Sequence, residues 1–220
     1  ILIDTALETI EAELEINDTQ IASVKIKSVP AFVLLQDIDI KIPSFGKITL
    51  DISFAGNSFY ALVDTAINKI PTEKTDLSSL IKLGLQIRDE INRTVDTVHP
   101  QNPEIKGVSA VDFVGKSNNP TAHFKDIHVY GAGQIDRSPC GNGTCAMMAN
   151  LYCKQKIGLN QDYIQEGISG DLFYGRILDV LKVGAHTAIV PELKGSAFIT
   201  GINQLIIDKG DPLKYGFSVQ

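Results

Sequence analysis

The chain has 220 residues, 44% hydrophobic and 21% charged, a balance that fills a core and excludes disorder. Lys and Arg number 20 against 26 Asp and Glu, a formal net charge of −6 that excludes a dedicated binder of nucleic acid or anionic membrane and favours a small soluble partner. No run approaches the roughly 18 apolar residues of a membrane span, Ile1-Leu2-Ile3-Asp4 lacks a secretory leader's basic start, and the cysteines are crowded together, so a reducing, cytoplasmic setting is expected.

Residues 10–16 and 22–29 alternate apolar and polar, which predicts a hairpin of half-buried strands. If the turn at 17–19 pairs Ile16 with Ala22, Glu13 lies opposite Lys25 and Glu11 opposite Lys27, a solvated face of opposite charges. Residues 47–54 and 58–64 alternate around Ala55-Gly56-Asn57 and predict a second hairpin. Between Thr75 and Val98 the apolar residues Leu77, Leu80, Ile81, Ile87, Ile91, Val95 and Val98 recur at three and four, a helix with Thr75 or Asp76 as N-cap. Strands are expected again at 107–114, 124–130, 172–182, 187–190 and 196–207. Gly141 to Lys156, rich in Ala, Met and Leu, predicts a second helix. Many strands with two helices and no regular βαβ repeat make an α+β chain.

The chemistry is concentrated in residues 131–145, where a predicted strand ends and the second helix begins. Cys140 falls at the helix N-terminus, where unsatisfied N–H groups and the positive end of the dipole favour a thiolate. Gly141 and Gly143 leave the first turn bare, so a carboxylate can approach the N–H groups of residues 141–143. Asp136, four residues before Cys140, can accept from a cationic amine or orient nearby backbone. Carboxylate site, amine site and thiol together describe an amino-acid pocket. The bland alternative stands beside this reading: a strand-to-helix joint with a buried Cys that acts as a small hydrophobe.

Other motifs fail. Gly131-Ala-Gly133 lacks the third glycine of a dinucleotide fingerprint, and Asn142-Gly-Thr lacks the Lys of a P-loop. Cys140, Cys145 and Cys153 are spaced by five and eight, unlike zinc knuckles, and His123 and His128 are not at helical ligand spacing, so neither a cofactor nor a metal is expected. Cys145 and Cys153 are expected as core thiols. His99, His123, His128 and His186 are expected as structural or surface residues, with nothing pairing any of them with Cys140.

Asp136-Arg-Ser-Pro-Cys-Gly-Asn-Gly-Thr144 resembles the second active-site motif of the proline racemase family, which includes the hydroxyproline 2-epimerases. Val29-Pro-Ala-Phe32, Asp51-Ile-Ser-Phe54, Val98-His-Pro100, Gly195-Ser-Ala-Phe-Ile-Thr-Gly201 and Asp211-Pro-Leu-Lys-Tyr-Gly-Phe217 resemble that family in the same order. The resemblance implies a cofactor-independent racemase or epimerase inverting Cα of proline or hydroxyproline. Cys140 would be one of two thiol acid/bases, with Asp136 and the N–H groups of Gly141 and Asn142 binding substrate. The family usually has Thr where this chain has Asn142, a mild change if the residue contributes its backbone.

The implied fold is two similar mixed-sheet domains, each around a central helix, of the diaminopimelate-epimerase type, in a homodimer. Residues 1–46 would belong to an incomplete N-terminal domain, 47–203 to the C-terminal domain, and 204–220 would return to the first. The family takes its other thiol from a Met-Cys-Gly-His motif, which is absent from these 220 residues. The chain therefore resembles the family's C-terminal two-thirds, and no racemisation is expected from it alone. Two alternatives accompany this reading: a trans-3-hydroxyproline dehydratase, which needs only one thiol, and an inactive remnant acting as a binding module.

Overall fold

The computed structural model describes residues 1–5, 9–18, 20–72 and 77–217. In chain order the strands are β1 (Leu2–Asp4), β2 (Thr9–Asn17), β3 (Gln20–Lys27), β4 (Ala31–Ile42), β5 (Gly46–Ala55) and β6 (Ser58–Asp64), followed by helix α1 (Leu77–Thr94). Then come β7 (Val98–His99), β8 (Asn102–Lys106), β9 (Val108–Gly115), β10 (Phe124–Tyr130) and β11 (Gln134–Ile135). Helix α2 (Gly141–Cys153) precedes β12 (Asp162–Glu166), β13 (Leu172–Val183) and β14 (His186–Gly195).

Most strands share one mixed sheet, with β6–β9 and β10–β12 parallel and the other pairs antiparallel. Its order runs β1-β2-β3-β14-β13-β12-β10-β9-β6-β5-β4, and β4 also pairs with β14. That last pairing, Ala188 to Phe32 and Ile189 to Ala31, closes the path from β14 through β13, β12, β10, β9, β6 and β5 to β4 into a ring. β3 occupies the rest of the same β14 edge, from Glu192 opposite Lys27 to Gly195 opposite Val24, so β1–β3 extend away from the ring.

The two helices occupy opposite faces of this sheet. α2 packs against β4, β5, β6, β13 and β14, and every residue from Gly143 to Leu151 is buried. A helix apolar on all sides belongs in an interior, and the closed strands supply one. α1 is amphipathic instead; Leu80, Leu83, Ile87 and Ile91 face the outside of β4, β9 and β10. The period of two sorts the strands between them: Phe59, Ala61 and Val63 join the α1 core, Tyr60 and Leu62 the α2 core.

The first hairpin pairs Glu13 with Lys25 and Glu11 with Lys27 as expected, with Lys25 Nζ 3.4 Å from Glu13. Its turn is tighter than expected. A bulge after Glu15 sets Ile16 opposite Ile21 rather than Ala22, and Asp18 adopts φ 55°. The predicted N-caps Thr75 and Asp76 lie outside the described residues. α1 stops at Thr94, and Val98 begins β7.

Residues 196–207 form no strand, contrary to the alternation. No described strand pairs with them, and Phe198, Ile199, Ile202 and Leu205 are more than 90% exposed. Among the described residues no helix is long and apolar enough to cross a membrane.

Candidate active site at the start of the enclosed helix

The loop leading into α2 is tied down bond by bond. Asp136 Oδ1 accepts from Ser138 N at 2.8 Å, and Ser138 Oγ accepts from Cys140 N at 3.1 Å. Gln165 Nε2 donates to Pro139 O at 2.9 Å, and Ser169 Oγ donates to Arg137 O at 2.6 Å. Held this way, Cys140 caps the helix at φ 59°, a region non-glycine residues rarely adopt, and its Sγ accepts from Gly143 N at 3.3 Å. Thr144 Oγ1 donates to Cys140 O at 2.7 Å. The N–H groups of Gly141 and Asn142 donate to no described residue, which leaves the orphan donors of a helix start open to an anion.

Cys140 is therefore the N-cap the sequence predicts, but its ionisation goes the other way. The thiol is 7% exposed, and its pKa is raised well above the ordinary thiol value by burial, then by the carboxylates of Asp112 and Asp126, against a smaller opposing pull from Gly143 N–H. The helix start does not outweigh desolvation together with neighbouring negative charge. Both influences favour the protonated thiol. Its surroundings are polar rather than hydrocarbon.

Those surroundings are what the sequence reading missed. Asp112 on β9 and Asp126 and His128 on β10 point inward toward the start of α2, and all three are buried. His128 Nδ1 lies 2.6 Å from Asp112 Oδ1. Burial pulls the imidazole pKa down, but the Asp112 carboxylate more than offsets it, and the net shift is upward. Burial, then the negative charge of Asp112, holds the Asp126 carboxyl well above the usual carboxylate range. A carboxylate oxygen of Asp112, a His128 ring nitrogen and Cys140 Sγ come within 4.8 Å of one another from three elements, so a histidine does lie beside Cys140. The signal was in the alternation: Ala110-Val111-Asp112-Phe113-Val114 puts Asp112 on the parity of Ala110 and Val114, both part of the α2 core.

Gly143 is bare because Asp112 and Cys140 leave no room; a Cβ there would stand 2.7 Å from Asp112 Oδ1. Gly56, at φ 60°, gives way to the Asn142 side chain, which reaches across to Tyr60. The helix start separates two hollows. One, of about 340 Å³, is walled by Val24, Ile26, Phe173 and Leu193 and reaches Ser138 and Gly141; the other, of about 200 Å³, lies between Ser28, Gly56 and Asn142. Asp136 is half-buried and spends one oxygen orienting the loop.

The remaining candidates divide. Cys145 is fully buried as expected, and burial pushes its thiol up to about 12. Cys153 is exposed rather than in the core, because the last turn of α2 emerges from the ring; its Sγ donates to Gln36 Oε1 at 3.6 Å. His99, His123 and His186 are structural: His99 Nδ1 accepts from Gln101 N and Asn102 N, His123 Nδ1 accepts from Ile164 N, and the His186 ring stacks on Phe32.

A mixed sheet wrapped around a helix whose glycine-bare start presents a buried thiol and N–H groups that donate to no described residue defines an α+β protein. The family described as proline racemase matches residues 1–218, and the chain belongs to that family. It is 41% identical over 211 residues to the "Proline racemase" of Acetoanaerobium sticklandii, covering 96% of this chain and 63% of that protein. It is 36% identical over 217 residues to the "4-hydroxyproline epimerase" of Brucella ovis, covering 99% of this chain and 65% of that one. The crystal structure of a hydroxyproline epimerase from Agrobacterium vitis with bound trans-4-OH-L-proline superposes with a TM-score of 0.87 at 30% identity, over 100% of this chain and 62% of that one. The chain thus spans under two-thirds of the length of these relatives.

Proposed function

We propose that this chain carries one half of a cofactor-independent racemase or epimerase that inverts Cα of proline or hydroxyproline, with Cys140 as one of two thiol acid/bases. The observation that carries this reading is the Cys140 thiol, fixed as the helix N-cap by the Gly143 N–H beside two N–H groups that donate to no described residue. Inverting a carbon requires a base on one face and an acid on the other. A thiol kept protonated at rest is the acid of such a pair.

In this reading the substrate carboxylate sits on the N–H groups of Gly141 and Asn142, and the ring lies toward the hollow walled by Phe173 and Leu193. Asp136 faces the imino nitrogen with its remaining oxygen. An opposing thiolate takes the Cα proton, and the Cys140 S–H delivers its own proton to the other face. The two thiols end with exchanged protonation, ready for the reverse direction.

Neither other cysteine of this chain can oppose Cys140. Cys145 is fully buried in the α2 core, and Cys153 lies at the far end of α2. In this reading the second catalyst comes from outside these 220 residues, on a second domain to which residues 1–46 and 204–220 belong, and the assembled enzyme is a homodimer. Polarimetry of L-proline and trans-4-hydroxy-L-proline on the full-length enzyme, with solvent deuterium read at Cα, tests this. Cys140→Ser is expected to abolish inversion with the far-UV circular dichroism unchanged; inversion surviving that substitution would refute the role of Cys140. The 220-residue chain by itself is expected to invert neither substrate.

A further inference from the structure

We propose that Asp112, His128 and Cys140 form a binding site for one zinc-like divalent cation. One ligand atom from each, a carboxylate oxygen, a ring nitrogen and Sγ, all lie within 4.8 Å of one another, and all three residues are buried. Zinc bonds of about 2.0–2.3 Å place tetrahedral donors roughly 3.3–3.8 Å apart. The trio closes around such an ion with shifts of about an ångström: the Asp112–His128 edge, now 2.6 Å, opens, and the longer edges contract.

A second observation points to a ligand at the same place. Asp112 is 1% exposed, and among the described residues its Oδ2 and Oδ1 of the adjacent buried Asp126 meet no donor other than the proton the two carboxyl groups share. One shared proton is a minimal partner for two buried carboxyl groups, and a divalent cation on Asp112 would satisfy its oxygens directly. Charge closes as well. One carboxylate, one thiolate and one neutral imidazole sum to −2, which a divalent ion neutralises inside a desolvated pocket.

Sulfur and imidazole in the donor set select zinc over magnesium or calcium. Three protein ligands leave the fourth tetrahedral position to water or to an oxygen of Asp126. On binding, the Cys140 thiol and any imidazolium form of His128 give their protons to solvent, and the sulfur's freed pair forms the metal bond, so affinity falls in acid. Because the ion takes the sulfur that the proposed reaction needs, occupancy and proton transfer at Cys140 exclude each other. Formation of the site itself does not depend on that reaction.

The test is a titration of the reduced 220-residue chain with Co²⁺, read by absorption. A sulfur-to-cobalt charge-transfer band with tetrahedral d–d bands, saturating at one equivalent and displaced by Zn²⁺, is expected. It should persist in Cys153→Ser, disappear in Cys140→Ser, and require more Co²⁺ to saturate in His128→Gln. The absence of a band from the wild-type chain, its loss in Cys153→Ser or its survival in Cys140→Ser would overturn the site.

Discussion

Gly143→Ala probes the packing around Cys140 with the smallest available change. An added Cβ would stand 2.7 Å from Asp112 Oδ1 and 3.2 Å from both Cβ and Sγ of Cys140, so the first contact must open by about 0.7 Å to reach an ordinary 3.4 Å. Asp112 cannot simply yield, because it is buried on β9 and held by His128 at 2.6 Å. Gly141→Ala, two residues earlier in the same turn, meets only Leu193 Cδ1 at 3.6 Å. Both substitutions gain the helix preference of Ala over Gly, up to about 1 kcal/mol, so the difference between them isolates the overpacking cost of about 1–3 kcal/mol. At roughly 2–4 °C per kcal/mol for a chain of this size, Gly143→Ala should melt about 2–12 °C below Gly141→Ala. Thermal unfolding followed by far-UV circular dichroism measures the gap. If Gly143→Ala melts at or above Gly141→Ala, Asp112 and Cys140 do not close around the first turn as described.

Two further outcomes follow from the buried charges. Asp112→Asn removes a carboxylate that keeps the Cys140 proton on, so the pH midpoint of Cys140 alkylation, read by peptide mass, should move to lower pH; an unmoved midpoint would mean that burial alone sets it. Asp126 binds its proton more tightly folded than unfolded, so its stabilising contribution is fully present below the unfolded value near 3.8 and is lost as pH rises through the raised folded value. Asp126→Asn should remove that loss and flatten the melting temperature against pH above about 4, whereas an unchanged slope would count against a raised Asp126.

What the sequence revealed of this fold was the part written in short-range pattern. β5, β6, β9, β10 and the charged pairs of the first hairpin follow from alternation, and the two helices follow from periodicity and propensity. β4 was hidden because register shifts around Asp37, at φ 50°, break its alternation; β12 was hidden because Gln165 and Glu166 are buried through hydrogen bonds and ion pairs rather than hydrophobicity. The reverse failure occurred at residues 196–207, where a pattern fit for a strand has no described neighbour to pair with. A pattern states what a segment can bury, not whether a partner is present.

The site shows the same division between local and assembled information. That Cys140 caps a helix is local, readable from a Pro before it and glycines after it. Its ionisation is not, because it depends first on burial and then on Asp112 and Asp126, which lie 28 and 14 residues earlier and arrive through the parallel and antiparallel pairings of β9 and β10. A helix start alone argues for a thiolate. Burial, reinforced by two buried carboxyl groups, reverses the sign. In the proposed reaction, one turn of helix would hold the substrate anion while keeping a proton on the sulfur beside it. A two-base inversion needs that combination at one of its two catalysts at each start of turnover, since a pair of thiolates would have no proton to give and a pair of thiols no base to begin.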